Sequence, residues 1–237
     1  ESDIIMVKIF SYVVLAFWSQ FSVASEGGSK LMQANVDIAN TISLQNGARL
    51  FINYCVSCHS AEYMRYNRMA EDLGLSIDMV EQNLMFASDK VGDTMTIAMK
   101  QDEAEQWFGV RPPDLSVIAR SKGVNYLYSF LNGFYIDSSR PTGVNNVYYP
   151  NTAMPHVLWE LQGFQDKPGD AHQVSSDGEM TSTQYQQATR DLVAFLDYVG
   201  EPAKLVRYKI GFWVIAFLLV LFLVTCMVKK EYWKDIH

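Results

Sequence analysis

Cysteine, histidine and charge are all scarce in this chain of 237 residues, and each shortage removes a class of protein. Of three cysteines, Cys55 and Cys58 share one pentapeptide and Cys226 lies deep in an apolar run, so no disulfide framework is available. A second cysteine pair is missing, and His156, His172 and His237 form no pair at zinc-ligand spacing, which removes the common structural zinc patterns. Charged residues make up 19% against 49% hydrophobic, too apolar a balance for a disordered chain. Lys and Arg number 19 against 26 Asp and Glu, and a net charge of −7 argues against nucleic acid as a partner and for a basic protein. No repeat, low-complexity tract or strand-like alternation is visible.

What is present begins with two apolar segments that frame the chain. Met6, Lys8, an apolar block over residues 9–21 and the small residues Ser22-Val23-Ala24-Ser25 have the layout of an export signal, cut near Ala24 or Ser25. Met6 would serve as initiator, and residues 1–5 have no assigned role. Residues 210–228 contain no charge, are bounded by Lys209 and by Lys229-Lys230, and at 1.5 Å per residue give about 29 Å, the thickness of a bilayer core. Tyr208, Trp213, Tyr232 and Trp233 fall near the two interfaces. Cys226 reads as a small apolar residue facing lipid or a neighbouring helix. Flanking charges balance, so the export signal sets the orientation. The reading is a signal peptide over 1–25, a domain over 26–205 outside the cytoplasm and an anchor with a short cytoplasmic tail over 206–237; in a bacterial cell that is a periplasmic domain held at the inner membrane.

Between the two ends the chain reads as one mainly α unit. Helices are expected over residues 43–54, leading straight into Cys55, and over 183–199, where Tyr185, Ala188, Leu192, Phe195, Leu196 and Val199 recur at three- and four-residue steps before Gly200 and Pro202. Shorter helices are expected near 78–87 and 126–132. Residues 138–151 and 163–178, rich in Gly, Pro, Asn and Ser, read as ordered loops that serve a site.

Cys55-Val56-Ser57-Cys58-His59 is a C-x-x-C-H sequence, the attachment signature of a c-type haem. Two thiols on one tight turn can add to the two vinyl groups on one porphyrin edge, and the next residue then sets an imidazole under the iron. His59 is the expected proximal ligand, with its other ring nitrogen held by a backbone carbonyl. A thioredoxin-like pair would need a βαβ context that is absent. Met154, stiffened by Pro155, is the choice for sixth ligand, although from the residues alone His156 and other methionines stay open.

Together with Arg111-Pro112-Pro113-Asp114-Leu115-Ser116, Arg140-Pro141-Thr142-Gly143-Val144, Ala153-Met154-Pro155 and the single C-terminal anchor, this motif resembles the cytochrome c1 family from about Gln45 to the end. The Asn-Thr-Ala-Met-Pro-His stretch is similar to proteobacterial members. The resemblance implies a cytochrome c-type α-helical haem domain with long ordered loops plus one C-terminal transmembrane helix. It implies one covalent haem c on Cys55 and Cys58, with His59 and Met154 as axial ligands. Pro112, Pro113 and Tyr126 would border the haem, and Arg120 or Lys122 would meet a propionate. It also implies electron transfer from a Rieske iron–sulfur protein to cytochrome c, with cytochrome b beside the anchor in a dimeric complex. The chain is shorter than mitochondrial members and lacks the extra cysteine pair of some bacterial ones. Two other functions stay open: an anchored cytochrome of another complex, and a haem enzyme with an open iron position. The acidic Asp102, Glu103 and Glu105 are a candidate docking face.

Overall fold

A computed structural model describes residues 30–97, 99–167 and 174–234. The expected export signal lies outside the described residues, as do His172, His237 and residues 168–173 of the second loop. The unit described runs from Leu31 onward.

The first helix, α1 (Thr41–Leu50), starts where the Asn40 side chain accepts a hydrogen bond from the Ser43 N–H at 3.2 Å, satisfying one of the free donors of its first turn. The sequence pattern runs on as one helix to Tyr54. Instead, the backbone widens at Phe51–Cys55 into a π-turn, closed by Val56 N–H on the Phe51 carbonyl at 3.0 Å. Apolar periodicity cannot register such a change, because one inserted hydrogen-bond register leaves the residue types untouched. Its effect is to rotate the residues that follow.

Next come β1 (Ala61–Arg65), α2 (Tyr66–Leu73), α3 (Ile77–Asn83), β2 (Thr94–Met95), α4 (Gln101–Phe108), α5 (Ile118–Lys122) and α6 (Val124–Asn132). Then follow β3 (Phe134–Ile136), β4 (Val144–Asn146), α7 (Trp159–Gln162), β5 (Gly163–Gln165), β6 (Val174–Asp177), α8 (Ser182–Gly200) and α9 (Lys204–Tyr232). The expectation of no strands needs correction. Among the described residues β1–β2, β3–β4 and β5–β6 form three antiparallel pairs. Strands of two to five residues are too short for a period of two to show, and β1 is irregular besides. The loop expected over 163–178 therefore carries a strand pair at its ends, and β4 lies inside the one expected over 138–151.

Helix α8 opens with a capping box, the Thr181 and Gln184 side chains each bonding the other's backbone N–H. It then buries Tyr185, Leu192, Phe195, Leu196 and Val199, as its periodicity predicts, while Ala188 of the same stripe is only partly buried and Val193, outside it, is buried too. It packs against α1 so closely that a Cβ on Gly47 would stand 2.1 Å from the Asp191 carbonyl oxygen and 2.6 Å from Phe195 Cβ. Only glycine allows this approach. Asp191, buried at the crossing, accepts hydrogen bonds from Ser43 (2.6 Å) and Gln187 (2.8 Å). Cys55 and Val56 belong to the same buried cluster as Phe51, Phe195, Leu158 and Leu161, so the C-x-x-C-H turn starts from the core.

Two ion pairs, Lys204–Asp197 at 2.8 Å and Arg207–Glu201 at 2.7 Å, bridge the step from α8 to α9. Residues 206–232 of α9 have a mean hydropathy of 2.7 over their apolar window, and none of that window is buried. A core helix of that composition would be covered, so the length and exposure suit a helix that crosses a membrane, longer at both ends than the expected 210–228.

Candidate haem site

The π-turn delivers Cys55 at the end of a buried helix face, and the next four residues close a tight turn. Cys58 N–H and His59 N–H both donate to the Cys55 carbonyl, at 3.0 and 2.8 Å. Burial, with a smaller contribution from Cys58, pushes the Cys55 thiol up to about 12. It is a neutral thiol at pH 7. A redox-active pair needs the opposite shift. Groups of three or more metal-binding side chains are also absent among the described residues.

His59 Nδ1 lies 2.7 Å from the Pro113 carbonyl oxygen. A carbonyl can only accept, so Nδ1 carries the proton and Nε2 presents its lone pair. The sequence called for such a carbonyl without naming it. Burial lowers the proton affinity of the ring, against the pull of Pro113 and Asp114, which favours the neutral, ligating form. Asp114 explains how Pro113 is held in place. Its carboxylate accepts from Ser60 Oγ (2.8 Å), Glu62 N–H (3.0 Å) and Ser116 N–H (2.8 Å), while Leu115 N–H donates to the Ser60 carbonyl at 2.8 Å. Burial alone would raise the Asp114 carboxyl, but these hydrogen bonds outweigh it and hold it below the ordinary range. The Pro-Pro-Asp-Leu-Ser segment is thus stapled to the residues just after His59. Pro112 is half-buried and Pro113 exposed.

Met154 is half-buried at a bend, its N–H on Thr152 Oγ1 at 3.3 Å. Met64, Met69 and Met95, by contrast, are filled into the core. His156, the rival ligand, has its ring stacked on Phe134 (centroids 4.8 Å, 7° between planes) with the Phe164 ring edge-on at 6.3 Å. It serves there as a buried aromatic. Leu158, just before α7, and Leu161 within it enter the cluster that holds Cys55, and Glu160 raises the Tyr54 hydroxyl after burial does. Tyr126 is half-buried against the core, stacked on Phe130 at 6.3 Å. Arg120 and Lys122 are both exposed in the last turn of α5, and the Arg120 stem runs beside Gly200. Neither position favours one over the other for a propionate. The acidic run sits exposed on α4, where Arg111 pairs with Asp102 (3.6 Å) and Glu105 (2.9 Å) and Lys100 with Glu103 (3.6 Å).

Sequence reasoning missed the polar groups that shape the Met154 loop. Asn145 and Asn146 are buried, and their side chains bond the backbone of residues 130, 146, 148, 149 and 151. Their only signal was a pair of adjacent asparagines.

The donor set fits a c-type haem: two thiols on one turn, a neutral imidazole with a fixed tautomer, and a thioether outside the apolar core. Fold and site together define an anchored c-type cytochrome. The chain belongs to the cytochrome C1 family, whose sequence model matches residues 32–236. It is 45% identical over 227 residues to the cytochrome c1 of Allochromatium vinosum, covering 91% of this chain and 93% of that one. A protein of Nitrosomonas europaea named ammonia monooxygenase gamma subunit is 43% identical over 235 residues, covering 98% of this chain and all of that one. Mitochondrial cytochrome c1 of Neurospora crassa is 30% identical, covering 81% of this chain and 61% of that protein. A chain of the hyperthermophilic respiratory Complex III aligns over the full length of both chains with a TM-score of 0.47 and 18% identity. As a member of this family the chain carries one covalent c-type haem and is an electron-carrier subunit of the bc1 complex, not an enzyme on its own.

Proposed function

We propose that this chain takes single electrons from the Rieske iron–sulfur protein of its complex and passes them to a cytochrome c, with cytochrome b packed beside α9. Cys55 and Cys58 would hold the haem through thioether bonds, with His59 Nε2 and the Met154 sulfur as axial ligands. When bound, the haem supplies a ferrous/ferric couple whose potential His/Met ligation raises. The observation that carries this reading is the His59 Nδ1 hydrogen bond to the Pro113 carbonyl, since it leaves Nε2 committed as a ligand. Pro112, Pro113 and Tyr126 would border the haem, and Arg120 or Lys122 would meet a propionate. The haem domain lies in the periplasm and the tail after α9 in the cytoplasm, a reading supported by the export-signal layout of residues 1–25.

Visible spectra of the purified protein, oxidised and reduced, with and without carbon monoxide, test the ligation. A low-spin haem with a sulfur-to-iron band and no carbon monoxide response is expected. An open, carbon monoxide-binding iron would sink it and favour a haem enzyme. A second reading, an anchored cytochrome serving a monooxygenase, draws support from the name of the Nitrosomonas relative. Purification from mild detergent separates the two: cytochrome b and the Rieske protein should accompany the chain, and a monooxygenase in their place would reverse the choice.

A further inference from the structure

The loop that carries Met154 is fixed at both ends by groups that have no other evident task. At its start, Asn151 has a left-handed backbone (φ 65°), and its N–H donates to Asn145 Oδ1 at 2.8 Å. The Arg140 guanidinium grips the same residue with two nitrogens, Nη1 on the side-chain oxygen and Nη2 on the carbonyl, each at 3.2 Å. Asn145 is buried in β4, and its amide donates to Asp137 at 2.8 Å, tying the clamp to the end of β3. At the far end, His156 is locked between Phe134 and Phe164. Met154 lies three residues after one anchor and two before the other, and Pro155 removes the helical region from its backbone choices. So few free residues between two fixed points leave the thioether little room to move.

We propose that Arg140, Asn145 and Asn151 are positioning residues for Met154: the clamp at Asn151 sets how firmly the thioether stays on the haem iron. This rests on Met154 being the sixth ligand. Its recruitment of Arg140 also gives the Arg140-Pro141-Thr142-Gly143-Val144 stretch a task. A guanidinium suits that task because its planar fork can engage the side-chain and backbone oxygens of one residue together.

The test uses the haem-loaded full-length chain in its purified complex, with Arg140→Ala, Asn145→Ala and Met154→Leu variants. The sulfur-to-iron band and the far-ultraviolet helical signal are followed through one guanidinium titration, and carbon monoxide binding is measured without denaturant. Arg140→Ala should lose the band at no more than half the denaturant concentration needed in the parent, with the helical midpoint unmoved. Carbon monoxide, which should leave the parent spectrum unchanged, should bind Arg140→Ala measurably, and Asn145→Ala should behave alike. Band and helical signal that shift together, or do not shift, would overturn the clamp, because a purely structural role moves both. A band that survives Met154→Leu would overturn the ligand reading itself, and with it this proposal. Arg140 is only half-buried, so its variant keeps the test open even where Asn145→Ala fails to fold.

Discussion

The two sides of the haem site are held by different physics. The His59 side hangs from the crossing of α1 and α8, where Gly47 lets the backbones touch and the Phe51 and Phe195 rings meet at 5.6 Å in the buried core. The Met154 side leans more on hydrogen bonds: Asn145, Asn146, Arg140 and Asp137 tie its loop at one end, while His156 packs between aromatic rings at the other. Packing is non-directional and fails only when volume is lost. A hydrogen bond contributes about 1 kcal/mol net and fails when its geometry slips. The first arrangement suits a ligand that never leaves. The second suits one whose attachment can be tuned without touching the fold.

Deleting a core ring is the largest expected effect and probes the first half of that contrast. Phe195→Ala removes a fully buried side chain between Phe51 and Tyr198 and should cost about 4 kcal/mol, with the haem spectrum and helical signal collapsing in one transition. A spectrum lost well before the helices would break the comparison, because the His59 side would then lean on something other than this crossing. Thermal unfolding followed at both wavelengths is the measurement.

Asn146→Ala probes the other half and should cost about 2 kcal/mol. It leaves the Phe130 carbonyl and the Tyr148 and Tyr149 N–H groups, which the Asn146 amide satisfies at 2.7, 2.9 and 3.3 Å, without that partner. In chemical denaturation the ligand band should fall before the helices do. A single shared transition would mean that the loop is welded to the core more firmly than its hydrogen bonds suggest.

The same contrast explains what could be read without a structure. The α8 stripe, the apolar run of α9 and the C-x-x-C-H turn were legible because each is written locally: a 3.6-residue period, an uncharged stretch, a fixed motif. Even the carbonyl behind His59 followed from coordination chemistry, and only its owner, Pro113, needed coordinates. The π-turn at Phe51–Cys55 was illegible because it changes hydrogen-bond register and no residue type. The strand pairs escaped because two to five residues carry no period, and Asn145 and Asn146 escaped because an asparagine in a loop looks the same whether it is buried as a hub or bathed in water. Helices α2 and α4 went unnoticed for a related reason: at eight residues each, they present too few turns for a stripe to stand out.

The smallest expected effect lies where a polar contact meets the packed side. Tyr198, buried on α8, donates its hydroxyl to Asp72 on α2 at 2.7 Å, and Asp72 is also held by Arg68 at 2.6 Å. Burial first, and the hydrogen bond to Asp72 next, raise the Tyr198 hydroxyl far above its ordinary value of 10.0. A group whose proton is held more tightly in the folded state adds stability that is fully present below the unfolded value. It loses that stability as pH climbs from about 10 toward the folded value. Tyr198→Phe should therefore cost about 1 kcal/mol at pH 7 and make the fall in stability above pH 10 shallower by one proton. Tyr185, also raised, keeps the slope from vanishing. An unchanged slope in denaturant titrations at pH 8, 10 and 11 would show that neither burial nor the Asp72 contact holds the Tyr198 proton more tightly in the folded state.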